Sequence, residues 1–218
     1  MAAATLVIGN KNYSSWSLRG WLAAKQASLA FEERFVNLGD ADYKDQLRQH
    51  SRAAKVPVLI HDGVEIWDTL SIIEYLAETF PHAGLWPGDP VRRAQARSIS
   101  AEMHAGFTAL RGAMPMNIRA SHPGKGRAPG VAEDIARIGE IWMSCRSAAA
   151  GDGDFLFGPW SAADVMYAPV ASRFRTYAVA LDPAAQTYAD SVLDNGWYKA
   201  WEAEALKERW IVPEDEIE

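Results

Sequence analysis

Residues 55–81, KVPVLIHDGVEIWDTLSIIEYLAETFP, decide how the chain is read. Val58–Ile60 and Val64–Trp67 are short apolar runs flanking His61-Asp62-Gly63, and Asp-Gly between two such runs is a strong β-hairpin signal. Directly afterwards Ile72, Leu76 and Phe80 fall at i, i+4 and i+8 with Ile73 and Ala77 alongside, which predicts a helix over Thr69–Phe80, stopped by Pro81. Pro57 cannot donate to a sheet ladder, so its place ahead of the first run implies a sheet edge or a cis peptide that turns the Val56 backbone outward. An outward amide and carbonyl can pair with a peptide-like ligand, although a trans proline opening a strand satisfies the same residues.

Upstream, Leu6–Ile8 reads as a short buried strand ending at Gly9, and Leu18, Trp21, Leu22 and Lys25 recur at helical spacing between Trp16 and Ala27. Phe31–Val36 reads as a second strand, and the polar stretch from Gly39 to Lys55 as holding a short irregular helix. The order is β-α-β-(α)-β-β-α, an α/β unit. Downstream, PHAGLWPGDP (81–90) has the proline and glycine content of a linker, and the strand signals stop there. Ile99, Met103, Phe107, Leu110 and Met114 are spaced 4, 4, 3, 4, and Val131, Ile135, Ile138, Trp142 and Cys145 are spaced 4, 3, 4, 3, which predicts two long amphipathic helices joined by the loop SHPGKGRAPG. A third helix is expected over Ser161–Tyr177, bent or locally distorted at Pro169, and a last one around Trp197–Glu208. The expected organisation is an α/β domain over 1–82 and an all-helical domain over 90–218.

The 218 residues are 49% hydrophobic and 23% charged, enough for two packed cores and far from disorder. A formal net charge of −6 without a clustered basic stripe argues against nucleic-acid binding. No apolar run approaches the roughly 20 residues needed to span a bilayer. The single cysteine, Cys145, and an N-terminus lacking a basic and apolar leader pattern place the chain, as an expectation, in the reducing cytoplasm.

Ser14 and Ser15 precede the first helix, where unpaired N–H groups and the helix dipole favour an anion; capping of that helix explains the same serines. Asp68-Thr69 has the same dual character at the start of the helix after the hairpin. Ser161-Ala162-Ala163-Asp164 has the form of a capping box. Cys145 sits on an apolar stripe as an inert thiol, and His104 beside Met103 reads as a packing or surface histidine. No Cys/His cluster has metal-ligand spacing and no glycine-rich phosphate loop is present.

NYSSWSLRGWLAAK, the 55–81 stretch and FLFGPWSAADVMYAPV, in that order and spacing, resemble the cytosolic glutathione transferases, in a bacterial-type, serine-class, zeta- or theta-like form. The resemblance implies a thioredoxin-like glutathione-binding domain joined to an all-helical domain, a homodimer, and glutathione as co-substrate without a metal. It implies a cis Pro57, Val56 pairing its backbone with the cysteinyl part of glutathione, Asp68-Thr69 holding the γ-glutamyl group, and Lys55 near the glycyl carboxylate. Ser14 matches the activating serine of delta- and theta-like enzymes, with Ser15 and Tyr13 as the alternatives, while the absence of a cysteine there argues against mixed-disulfide chemistry. The implied activity is attack of the activated thiolate on an apolar or planar electrophile, as in detoxification, with Met103, Phe107 and Arg111 on a helix facing the first domain as second-substrate residues. Two other readings stay open: a glutathione-dependent isomerase of maleyl-type diacids, and a non-catalytic binding protein of the same fold.

Overall fold

The computed structural model describes residues 4–217. The chain forms two compact units, one made of residues 1–85 together with 200–218, the other of residues 86–199. In the first, β1 (Ala4–Ile8), α1 (Ser15–Gln26), β2 (Phe31–Phe35), the short α2 (Tyr43–Arg48), β3 (Val58–His61), β4 (Val64–Trp67) and α3 (Thr69–Thr79) follow one another as the apolar periodicities predict. Their four strands make one mixed sheet in the order β2-β1-β3-β4, with β1 parallel to β2 and antiparallel to β3, and β3 antiparallel to β4. Asp62 and Gly63 both take positive φ, 52° and 77°, the geometry that lets a two-residue turn follow the strand twist. This is the thioredoxin-like domain that the family resemblance implies.

Helix α1 is buried on nearly every side, more completely than its amphipathic spacing suggests. Small residues make this possible. A Cβ on Gly20 would lie 2.8 Å from Pro57 Cγ, so the helix backbone rests directly on that proline. At the other end Gln26 donates through Nε2 to the carbonyls of Ala83 and Gly84, which fixes where the chain leaves the unit.

The second unit is helical: α4 (Pro90–Ala105), α5 (Thr108–Ala113), α6 (Val131–Ala148), α7 (Ala162–Thr176) and α8 (Pro183–Asp194), with α9 (Gly196–Ala205) running across the division between the units. The continuous helix expected from Ile99 to Met114 is instead two. Helix α4 stops at Ala105, Gly106 is extended, and Phe107 has φ 54° before α5 begins. Glycine is among the weakest helix formers, and Arg111 Nη1 donates to the carbonyls of His104 and Gly106, both at 3.2 Å, so the broken turn keeps its acceptors satisfied. Met103, Phe107, Leu110 and Met114 are all buried, which is why their spacing concealed the break. Helix α8, introduced by Asp182-Pro183 with the Asp182 side chain accepting from Ala184 N, has no counterpart in the sequence reading.

Helix α7 starts in the expected capping box: the Asp164 carboxylate accepts from the Ser161 backbone N–H and the Ser161 hydroxyl, each at 2.9 Å. Pro169 lies within that helix without ending it.

Candidate functional site

Strand register gathers three segments of the first unit at one end of its sheet, along the strand direction. Val7 pairs with Val58, so the end of β1 lies beside the start of β3, and Val58 pairs with Trp67, so the end of β4 lies there too. The loop Gly9–Ser14, the Val56–Pro57 step and Asp68-Thr69 therefore adjoin the sheet at the same end. The Val56–Pro57 peptide is cis. Thr69 Oγ1 donates to the Trp16 carbonyl at 3.5 Å, tying the start of α3 to the start of α1.

Ser14 is the N-cap of α1: its Oγ accepts from Ser17 N at 3.3 Å and donates to Ser17 Oγ at 2.7 Å. Ser17 Oγ in turn accepts from Gly9 N at 3.0 Å. Gly9 N–H, Ser17 hydroxyl and Ser14 hydroxyl thus form one buried hydrogen-bonded row that ends at the helix start. A hydroxyl is a rotor, so Ser17 can donate into Ser14 and leave the Ser14 proton for an acceptor outside the row. Ser15 is the first residue of α1 and is also buried. Tyr13 is placed differently, with its hydroxyl donating to Glu216.

Asp68 caps α3, its Oδ1 accepting from Leu70 N at 2.9 Å, and it does so at φ 72°, ψ 135°. For a residue with a Cβ this is a sparsely populated conformation, the kind that persists where a structure needs the side chain it carries. Val56 is half-buried, Pro57 and Thr69 are buried, and Lys55 and Asp68 are exposed.

Met103, Phe107 and Arg111 belong to the second unit and surround the break between α4 and α5. Met103 is fully buried, Phe107 nearly so, and burial lowers the Arg111 guanidinium from its ordinary value. Burial, with Asp164 as a smaller cause, pushes the half-buried Cys145 thiol up to about 11, so it stays protonated at neutral pH. His104 is half-buried. Among the described residues no group of three or more His, Cys, Asp or Glu is placed to hold a metal ion, and no helix is long and apolar enough to cross a membrane.

Sequence reasoning missed two participants at this end of the sheet. Ser17 was readable as Ser14-x-x-Ser17, one helical turn apart. Glu208 was not: its carboxylate receives the N–H groups of Lys11 and Asn12, a contact nearly two hundred residues away along the chain.

The glutathione S-transferase N-terminal domain family matches residues 13–79. A "Probable maleylacetoacetate isomerase 1" of Drosophila melanogaster is 31% identical over 175 residues, 78% of this chain and 68% of that protein. A "Probable maleylacetoacetate isomerase" of Caenorhabditis elegans is 42% identical over 96 residues, and the match spans only 44% of each protein. A glutathione transferase homolog from Burkholderia GL BGR1, solved with bound glutathione, superposes with a TM-score of 0.69 at 23% identity, covering 94% of this chain and 98% of that one. At that identity the likeness is one of fold.

Proposed function

The chain belongs to the glutathione transferase family, and from that premise we propose that it binds glutathione at one end of its mixed sheet and ionises the thiol beside the start of α1. The observation that carries the reading is the meeting of the cis Val56–Pro57 step with the Ser14 row and Asp68-Thr69 at one end of the sheet. The Val56 backbone would pair with the cysteinyl residue, Asp68 and Thr69 would take the γ-glutamyl end, and Lys55 the glycyl carboxylate. Ser14, fed by Ser17 and Gly9, would donate to the sulfur, with Ser15 contributing at the first turn. A free thiol with pKa near 8.5 is only a few per cent ionised at neutral pH, and a reduction of about two units would make the thiolate abundant.

Two reactions use that thiolate. In conjugation it attacks an electrophilic carbon and the new C–S bond is kept, with Met103, Phe107 and Arg111 proposed to meet an apolar or planar substrate. In isomerisation it adds to the cis double bond of a maleyl-type diacid, the resulting single bond rotates, and expulsion of the thiolate restores a trans double bond with glutathione regenerated. The names carried by the fly and worm relatives favour this second reaction. The protein is proposed to act as a cytoplasmic homodimer, which sedimentation of the purified chain checks.

Ultraviolet titration of thiolate absorbance in the native protein with bound glutathione tests the reading. A thiol pKa about two units below the free value is expected, and an unshifted value would leave a protein that binds without activating. Counting thiols during turnover separates the reactions: conjugation consumes one per product, isomerisation none.

Asp68→Gly should separate binding from folding. Glycine relieves the positive φ and costs only a few tenths of a kcal/mol as a cap, so the melting temperature is expected to hold or rise. Glutathione affinity, measured calorimetrically, should fall by about tenfold or more with the loss of a carboxylate partner for the γ-glutamyl ammonium. Unchanged affinity would remove Asp68 from the site.

A further inference from the structure

The loop that presents Ser14 is tied to β2 and its exit through side chains, Lys11 Nζ pairing with Glu33 at 2.6 Å and the Asn10 side-chain amide bonding Asn37 Oδ1 and Leu38 N, but the backbone amides of Lys11 and Asn12 are bound from elsewhere. Within it, the Asn10 carbonyl accepts from Tyr13 N at 3.1 Å and from Ser14 N at 2.7 Å, a tight turn whose outer face carries the N–H groups of Lys11 and Asn12. Successive N–H groups in a turn form a small anion-binding concavity. A carboxylate from the end of the chain fills it: Glu208 Oε1 accepts from Lys11 N at 2.6 Å and Glu208 Oε2 from Asn12 N at 3.0 Å. The same terminal segment receives or makes two more bonds to the loop. Trp201 Nε1 donates to the Lys11 carbonyl at 2.9 Å, and the Tyr13 hydroxyl donates to Glu216.

Residues 200–218 group with the first unit, so these contacts lie inside one compact body. Trp201 is fully buried there, its ring meeting Trp21 of α1 edge-on with centroids 5.5 Å apart. Farther along, a Cβ on Gly39 would fall 2.4 Å from the Ile211 carbonyl oxygen, so the terminal segment also rests on the loop after β2. Lys11, Asn12 and Tyr13, the three residues ahead of Ser14, are each bound by a strap that starts about 190 residues later.

We propose that Glu208 is a positioning residue for thiol activation: by binding the Lys11 and Asn12 amides it sets the turn that aims the Ser14 hydroxyl. The inference rests on the reading of Ser14 given above. Because Glu208 acts through the loop and not on glutathione, its loss should change how well the thiolate is stabilised more than how tightly the peptide is held.

Glu208→Gln in the full chain tests this. An amide offers one acceptor where the turn presents two donors, and its own N–H₂ faces the second. The thiol pKa of bound glutathione is expected to rise by about one unit. kcat should fall roughly tenfold with the KM for glutathione within about twofold, the cost of a slightly misplaced group. Ala205→Gly, which weakens the end of α9 but keeps the carboxylate, should lower the melting temperature without moving the thiol pKa. If Glu208→Gln does not fold, Trp201→Phe, which keeps an aromatic but smaller side chain and removes the N–H donated to Lys11, should raise the thiol pKa in the same direction by a smaller amount. A depressed thiol pKa in the native protein that Glu208→Gln leaves in place, or that Ala205→Gly moves equally, overturns the positioning role and spares the Ser14 reading. An ordinary thiol pKa in the native protein overturns both.

Discussion

Asp164→Ala is expected to destabilise the protein by about 3–5 kcal/mol at neutral pH, a size reached when a buried hydrogen-bond network is broken. The carboxylate is fully buried and accepts four hydrogen bonds: Leu156 N at 3.0 Å, Ser161 N and Ser161 Oγ at 2.9 Å, and Tyr188 OH at 3.1 Å. Alanine leaves two backbone amides and two hydroxyls facing a dry space. Each buried unsatisfied donor costs about 1–3 kcal/mol, and the hydroxyls can turn toward other acceptors, so the total stays below the sum. For a chain of this length the melting temperature should drop by roughly 6–20 °C. Urea denaturation of both proteins gives the difference directly, and a loss below about 1 kcal/mol would mean that water or local collapse satisfies the four donors.

The same residue carries a pH signature. Burial pushes the Asp164 carboxyl up to about 6, against the opposing pull of its hydrogen bonds from Leu156, Ser161 and Tyr188. With the folded value above the ordinary one near 3.9, the fold prefers the protonated acid, so its contribution is full below pH about 4 and is lost as pH rises through about 6. The gap between native and Asp164→Ala should therefore be wider at pH 4 than at pH 7. A gap that grows with pH would show that the four donors hold the carboxylate charged.

Those contacts also show which parts of the molecule could be read from the residues. The capping box was legible because its partners sit three positions apart, and the hairpin because Asp62-Gly63 has few other uses between apolar runs. The cis Pro57 followed from family resemblance, since a proline before a strand fits either isomer. Periodicity failed where it reports burial and not backbone continuity: Phe107 keeps the stripe across a break that only Gly106 hinted at. It failed again at α8, whose buried face of Ala185, Tyr188, Ala189 and Val192 is half alanine and gives a weak apolar signal. The strap was illegible for a different reason. Nothing local to Glu208 distinguishes it from Glu202 or Glu204, and only the fold brings it to the amides of Lys11 and Asn12.

Ser14→Ala should raise the pKa of bound glutathione by about two units, from near 6.5 toward the free value, a change of roughly 2.7 kcal/mol in thiolate stabilisation. At pH 6.5 the thiolate fraction would fall from about one half to about one hundredth. The rate should fall less, by roughly five- to eightfold, because a more basic thiolate is the stronger nucleophile. That compensation gives the variant a recognisable profile: its deficit closes as pH rises, and above about pH 8 its rate passes that of the native protein. The helix loses its cap as well, for about 1 kcal/mol, which a melt records separately. Ser17→Ala provides the matching measurement, because it leaves Ser14 in place but removes the hydroxyl that feeds it and strands the Gly9 amide. A rise in thiol pKa in both variants assigns activation to the row Gly9, Ser17, Ser14. A rise in neither, with the native value depressed, moves the donor to Ser15, since the Tyr13 hydroxyl is already given to Glu216.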